Sequence, residues 1–194
     1  MSRRSVYTTT CLLLLAAVMV LTRAHHFAAV PDASWAVFLV GGYLLAARSR
    51  WAFPVLMALA VVIDWAVIRS SGLDFWSHYC VSPGYWMLLP AYLSLWLAGG
   101  WVAASRRPLP VRALQFALAL VGGVALCHLL AQGGFYWLSS SVAEPSLAGW
   151  WKNYTDWLWP YLKVTALYVL PLALIEGARI GLGQPAAPAL GRTA

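Results

Sequence analysis

Charged side chains are scarce in this chain of 194 residues: 13 Lys and Arg and six Asp and Glu make up only 10% of it. A soluble domain of this size has about a quarter charged residues, so this sequence cannot build a water-facing surface. Because 62% of the residues are hydrophobic, the composition predicts one domain, residues 1–194, that is an all-α integral membrane protein in contact with the lipid bilayer. The net charge of +7 lies mostly on arginines scattered through short loops, which indicates membrane topology and no nucleic-acid partner.

The chain also has few cysteines, and it contains no nucleotide-binding motif. The three cysteines, Cys11, Cys80 and Cys127, form no CxxC pair, which argues against a disulfide framework and a structural zinc site. Paired glycines at 41–42, 99–100 and 122–123 belong to no GxGxxG or Walker pattern. They predict close helix packing, and any ATP dependence would have to come from a partner.

Long apolar stretches are what the chain has in abundance. Six of them predict six transmembrane helices, with the second one short for a full crossing. The stretches cover about residues 7–21, 31–47, 51–68, 85–104, 111–131 and 157–175.

The basic residues predict how these helices are oriented. Nine arginines lie in the segments on one side, three basic residues lie on the other, and Lys163 lies inside the last stretch. By the positive-inside rule, both the N- and C-termini are cytoplasmic. Arg3 and Arg4 before a short apolar run could also begin a secretory signal peptide. A retained first helix is favoured, because the residues after that run form a poor cleavage site. The side richer in arginine holds Arg3, Arg4, Arg48, Arg50, Arg106, Arg107, Arg112, Arg179 and Arg192, against Arg23, Arg69 and Lys152.

The predicted outward loops are rich in aromatic residues. An aromatic belt at the lipid headgroups explains many of them. A belt together with a pocket for a large, flat, partly apolar ligand is the other interpretation, because Gly133-Gly134 and a run of three serines would let a loop fold over a cavity. The aromatics are Phe75, Trp76, Tyr79, Tyr85 and Trp86 in one loop, and Phe135, Tyr136, Trp137, Trp150, Trp151, Tyr154, Trp157 and Trp159 in the other.

Cys80 is the residue with the most chemistry in these loops. It is either an inert interfacial thiol or a soft metal ligand, with His78 as a second ligand or a loop hydrogen-bond partner. Pro83-Gly84 predicts a tight turn that would present Cys80 to the bundle. Cys127 is expected to pack as a small apolar group, and His128 either bonds another helix or joins Cys80.

The intramembrane carboxylate Asp64 is costly in lipid and requires a partner. Lys163 lies at a comparable predicted depth, so we expect an Asp64–Lys163 pair. Glu176 and Arg179 are one helical turn apart and predict a surface ion pair.

Six short spans, outward aromatics and the segment Trp76-Ser77-His78-Tyr79-Cys80-Val81-Ser82-Pro83-Gly84 together resemble the BtuM family. These are cobalamin-specific membrane proteins similar to the S-components of energy-coupling factor (ECF) transporters. The resemblance implies an S-component-like six-helix bundle in the bacterial inner membrane, with an outward-facing pocket for cobalamin (vitamin B12). It further implies that Cys80 meets the cobalt. From the chemistry of a strongly donating thiolate, which weakens the bond to the opposite axial ligand, we add the hypothesis that Cys80 promotes loss of cyanide from cyanocobalamin. The expected cobalamin-binding residues are Cys80, His78, Tyr79, Phe75, Trp76, Tyr85, Trp86 and Tyr136.

One departure from the S-component pattern concerns partners. S-components carry an AxxxA pair near the start of helix one for docking on a coupling subunit that works with two ATPases, and Thr8 to Ala17 contains no such pair. Dependence on these ECF partners is therefore left open. Two alternatives of other classes are a membrane thiol oxidoreductase using Cys80 and Cys127, and a divalent-metal permease using His78, Cys80, His128 and Asp64.

Overall fold

The structure, a computed structural model, describes residues 3–24, 30–78 and 80–187. Tyr79, one of the expected cobalamin-binding residues, lies outside the described residues. Within them the chain is all helical, as predicted. The α-helices are α1 (Arg3–Arg23), α2 (Ser34–Leu45), α3 (Ala52–Ser70), α4 (Leu88–Ala104), α5 (Leu109–Leu138) and α6 (Leu147–Gly181), and a short 3₁₀ helix, Pro83–Met87, precedes α4.

Five of these helices are long and apolar enough to cross a membrane: α1, α3, α5, α6 and α4 together with its 3₁₀ helix. These helices fit a membrane protein. The exception is α2, whose 12 residues span about 18 Å, against about 30 Å for a bilayer's hydrocarbon core. Ten of its residues are buried, so it is a core helix that the longer helices shield from lipid.

Contacts at its two ends show that α2 runs antiparallel to α1. At its start, Ser34 bonds Arg23 at the end of α1. Just after its end, the Arg48 guanidinium lies 4.7 Å from the ring centroid of Tyr7, near the start of α1. These contacts define two ends of the molecule, which we call the Arg23 end and the Arg48 end.

The tightest packing is the crossing of α2 and α4, where two glycines let the backbones touch. Gly42 lies against the backbone carbonyl of Trp96, and Gly99 lies against the carbonyl of Leu39. A Cβ atom at either position would overlap that carbonyl. The prediction that these glycines serve close packing is confirmed, whereas Gly122 has no atom within 4 Å of its Cβ position and serves no such contact.

Helices α5 and α6 extend well beyond their predicted limits. We expected α5 to end near Ala131 and α6 to begin near Trp157, but the helices meet at a connection of only residues 139–146. The serine run and Pro145 end the helices there, with Ser146 capping α6 by accepting a bond from the Gly149 amide. The interpretation in which a long loop of this region folds over a cavity is therefore wrong, because Gly133-Gly134 and the aromatics of that region lie on helices.

Candidate functional site

Cys80 lies between α3 and the 3₁₀ helix at the Arg23 end, in a segment whose described residues, 71–78 and 80–82, are irregular. Short-range bonds shape this segment. The Ser77 amide donates to the Asp74 carboxylate at 3.0 Å, and the Val81 amide donates to the His78 carbonyl at 2.8 Å. The thiol of Cys80 is free and half-buried. The segment therefore presents one sulfur atom at the molecular end, partly open to solvent.

His78 contacts Cys80 through the backbone. The Cys80 amide donates to Nδ1 of His78 at 3.3 Å. This is the loop hydrogen bond that we considered as the alternative to a metal-ligating role. Since Nδ1 accepts this bond, the imidazole supports the conformation of the segment that carries the thiol.

Four of the predicted aromatics come together here, two from this segment and two from the 3₁₀ helix that follows it. Phe75 and Tyr85 are buried, with ring centroids 6.2 Å apart and planes at 89°. Trp76 contacts the Phe75 ring and Trp86 contacts the Tyr85 ring, and these two indoles are 73% and 55% exposed. The arrangement is a buried aromatic base with two apolar surfaces facing outward.

The 3₁₀ helix anchors the segment to α5. A Cβ atom at Gly84 would lie 2.5 Å from the Gly134 carbonyl oxygen, so only glycine permits this approach. Pro83 and Gly84 are the central residues of a tight turn, as expected, because the Tyr85 amide donates to the Ser82 carbonyl at 2.9 Å. This turn needs no positive φ, and glycine is required at position 84 for the backbone contact. Tyr136, two residues after Gly134, is buried and uses its hydroxyl to donate to the Ser146 carbonyl and to accept from the Ser146 amide.

Three polar side chains near the Gly84–Gly134 contact are buried without a hydrogen-bond partner among the described residues. They are the Ser82 hydroxyl, both polar atoms of the Gln132 amide and the Trp150 indole N–H. The Trp150 nitrogen lies 3.4 Å from the Cβ position of Gly133, next to Gln132 in the chain. Buried polar groups are nearly always paired, so these atoms are available to water or to the polar groups of a ligand.

A buried ion network underlies the same end of the molecule. The Arg23 guanidinium is 8% exposed and donates to both oxygens of Asp64 at 2.7 Å, a bidentate pair. Its Nη1 atom also lies 3.1 Å from Asp32, 3.1 Å from the Ser34 hydroxyl and 3.0 Å from the Tyr92 hydroxyl. One cation thus compensates two carboxylates and joins α1, α2, α3 and α4.

The expected Asp64–Lys163 pair is wrong. Lys163 is exposed, and its Nζ lies 5.6 Å from the centroid of the Trp159 ring. Arg23 takes its place because α1 continues to that residue, which brings a side chain that we assigned to a loop into the bundle. The sequence did hold one signal for this pairing, because Arg23 follows the end of the first apolar stretch by only two residues and so could lie on the same helix.

Tyr85 connects this network to the Cys80 segment. Its hydroxyl donates to the second oxygen of Asp64 at 2.7 Å. Because Tyr85 lies five residues after Cys80 and next to Gly84, the 3₁₀ helix is held from two sides, by Asp64 and by Gly134. The network therefore sets the position from which the thiol is presented.

The other two candidate residues, Cys127 and His128, are core residues of α5. Cys127 is fully buried in the hydrophobic core, as expected. The Nε2 atom of His128 lies 3.1 Å from the Tyr154 carbonyl, and its ring stacks on Tyr154, so the interpretation that it bonds another helix is confirmed. The Glu176–Arg179 pair is present as well, at 3.7 Å.

Cavities lie at both ends of the bundle. At the Arg23 end, a cavity of about 150 Å³ lies between α3 and α4, lined by Arg23, Met57, Tyr85, Trp86 and Tyr92 among others. A cavity of about 580 Å³ lies at the Arg48 end. Pockets for small molecules usually measure roughly 300–1,000 Å³, so the smaller cavity would not enclose a large ligand.

In the part of the chain that the structure describes, no group of three or more His, Cys, Asp and Glu side chains could hold a metal ion. His78, Cys80, His128 and Asp64 are thus not gathered into one site, and the metal-permease alternative gains no support. The chain matches no protein-family model and no curated protein.

Proposed function

We propose that this protein binds cobalamin at the Arg23 end and mediates its uptake across the bacterial inner membrane, with Cys80 as the cobalt ligand. In this proposal the chain crosses the membrane six times, with both termini cytoplasmic, and α2 is the short second crossing. The Arg23 end then faces outward, because most of the arginines lie at the other end. The observation that carries the proposal is that the half-buried free cysteine Cys80 lies in the same segment of the chain as the exposed indole of Trp76 and the unpaired hydroxyl of Ser82.

The groups at this end match the parts of cobalamin. A thiolate is a soft ligand suited to a cobalt centre. The apolar faces of Trp76 and Trp86 would cover a flat corrin ring, and the unpaired groups of Ser82, Gln132 and Trp150 would meet its peripheral amides. Cys80 would replace the dimethylbenzimidazole tail, so cobalamin binds in a base-off form.

The small cavity at this end constrains how the ring is held. A space of about 150 Å³ is below the usual range for ligand pockets, which begins at roughly 300 Å³. The ring would therefore lie over the end of the bundle against residues 71–87, and the segment 71–82 would move to admit it. The Tyr85–Asp64 bond at 2.7 Å and the Gly84–Gly134 contact keep the base of that segment in place during this movement.

A thiolate on cobalt also has a chemical consequence. By donating electrons to the metal, sulfur weakens the bond to the axial ligand on the opposite face of the ring. In cyanocobalamin, cyanide would leave with its bonding electron pair, and the cobalt would keep its oxidation state in this step. Two ligand changes would therefore follow each other: the thiolate replaces the tail base on one face of the ring, and cyanide then leaves from the opposite face.

The first prediction concerns the spectrum of bound cobalamin. Protein purified in detergent with cyanocobalamin is expected to hold about one corrinoid per chain with shifted visible absorption bands, and to release cyanide. Cys80→Ala should lose the shifted bands and the cyanide release. Cys11→Ala is the matched control, because Cys11 is also free and half-buried but lies near the Arg48 end. A colourless wild-type protein, or unchanged bands in Cys80→Ala, would overturn the proposal.

The second prediction separates ligand binding from folding at Gln132. Gln132→Leu should leave thermal stability without ligand unchanged or higher, because it removes a buried amide that has no partner in the described residues. The same variant should weaken cobalamin binding about tenfold, since the ligand amide it meets loses its partner. Isothermal titration and thermal melts measure the two effects. Gln115→Leu is the control, because Gln115 already donates to the Trp101 carbonyl near the opposite end. Unaltered affinity in Gln132→Leu would exclude Gln132 from the site.

A further inference from the structure

The larger cavity, at the Arg48 end, is an apolar groove between α6 and the rest of the bundle. Its walls come from the last turns of α2 and α4, the first two turns of α5 and the final third of α6. Most of the lining is aliphatic, with Leu109, Leu170 and Leu172 all more than one-third exposed. The groove measures about 580 Å³, which lies within the range of ligand pockets.

The depth of this groove matches one leaflet of a bilayer. Its wall on α6 runs from Val169 to Ile180. At 1.5 Å per residue these 12 residues span about 18 Å, which is close to half of a hydrocarbon core of about 30 Å. The groove thus extends from the middle of the bundle to the end at which the arginines gather.

Positive charge lies at the mouth of the groove. Arg112, in the first turn of α5, is half-buried in the lining and donates to the Tyr43 hydroxyl at 3.3 Å. Across the described ranges it has no carboxylate within ion-pair distance. Arg106 and Arg107, both exposed, lie in the connection just before α5.

The one carboxylate at the mouth is already compensated. Oε1 of Glu176 accepts from the Tyr43 hydroxyl and from the Ala187 amide, both at 2.6 Å, and its Oε2 lies 3.7 Å from Arg179. The polar edge therefore presents a guanidinium and not a net negative charge to a molecule in the groove.

We infer that this groove binds an anionic phospholipid of the leaflet at the Arg48 end. One acyl chain lies between α6 and α5, and the phosphate is held by Arg112. A groove one leaflet deep, with an apolar floor and a cationic mouth, has the polarity profile of a single phospholipid. This site is separate from the proposed cobalamin site and does not depend on it.

The test is lipid binding to the full-length protein, measured by native mass spectrometry after delipidation and addition of phosphatidylglycerol or phosphatidylcholine. Wild type should bind one phosphatidylglycerol more tightly than phosphatidylcholine. Arg112→Gln should weaken phosphatidylglycerol about tenfold and leave phosphatidylcholine unchanged, since it removes one charge-assisted hydrogen bond. Arg107→Gln, which alters an exposed arginine outside the lining, should bind both lipids as wild type does.

A second pair of variants tests the groove itself. Ala113→Trp places an indole in the lining and should abolish binding of both lipids, whereas Leu114→Trp alters the adjacent position, which is 62% exposed and outside the lining, and should have no effect. Equal affinity for the two lipids in wild type would overturn the inference, as would full binding in Ala113→Trp. Copurification of a partner subunit that competes with phosphatidylglycerol at this groove would also overturn it.

Discussion

Arg23→Met is expected to lower the free energy of unfolding by about 3–5 kcal/mol, because it leaves the half-buried carboxylates of Asp64 and Asp32 without their cation. The bidentate bonds to Asp64 at 2.7 Å are lost together with three further bonds from the same guanidinium. Few single substitutions remove so many interactions at once. Denaturant unfolding in detergent micelles, followed by tryptophan fluorescence, measures the loss.

Two control variants show whether the loss comes from uncompensated charge. Arg69→Met removes an arginine that is 56% exposed and 3.8 Å from Asp74, and it should cost less than about 1 kcal/mol, as exposed pairs do. The triple variant Arg23→Met, Asp64→Leu, Asp32→Asn should recover most of the stability lost by Arg23→Met alone, because no charge remains buried. If Arg23→Met costs no more than Arg69→Met, the network does not stabilise the fold.

Gly99→Ala is expected to destabilise the protein by about 3 kcal/mol, at the upper end of the usual cost of overpacking. The added Cβ would overlap the Leu39 carbonyl and lie 2.7 Å from the Tyr43 amide nitrogen. Both are backbone atoms of α2, so no side chain can rotate away, and the two helices would have to separate along their whole crossing.

Gly122→Ala is the matched control for this prediction. Its Cβ would meet no atom within 4 Å, and alanine is favoured over glycine in a helix by roughly 0.5–1 kcal/mol. The control should therefore unfold at the same denaturant concentration as wild type or at a higher one. Equal destabilisation of the two variants would show that the cost comes from the membrane helix in general and not from the α2–α4 contact.

The candidate site was predicted well where neighbours in the chain are also neighbours in space. Phe75, Trp76, Tyr85 and Trp86 lie within a dozen residues of one another, and the structure brings their rings together. The loop hydrogen bond of His78 is equally local. Such contacts follow from short chain separation, so local pattern was enough to expect them.

The partner of Asp64 was not predictable in the same way. Its need for a cation followed from its place in an apolar helix, but its partner Arg23 lies 41 residues earlier. Pairing depends on which helices pack together and on where α1 ends. We placed the end of α1 two residues too early, which left Arg23 in a loop and made Lys163 the favoured partner. The unpaired groups of Ser82, Gln132 and Trp150 likewise appear only once three distant segments are placed together.

By itself, the sequence predicted an all-helical membrane protein. A chain with so few charges and so many apolar residues cannot cover a surface that faces water, so its surface must face lipid. The sequence also predicted the approximate centres of the long helices and close packing at the paired glycines, which holds for Gly42 and Gly99. Only the tertiary structure decided that Arg23 compensates both carboxylates, that α5 and α6 meet in a short connection, and that the larger cavity lies at the Arg48 end. Composition is a sum over residues, whereas ion pairing and cavities depend on the relative positions of helices that are far apart in the chain.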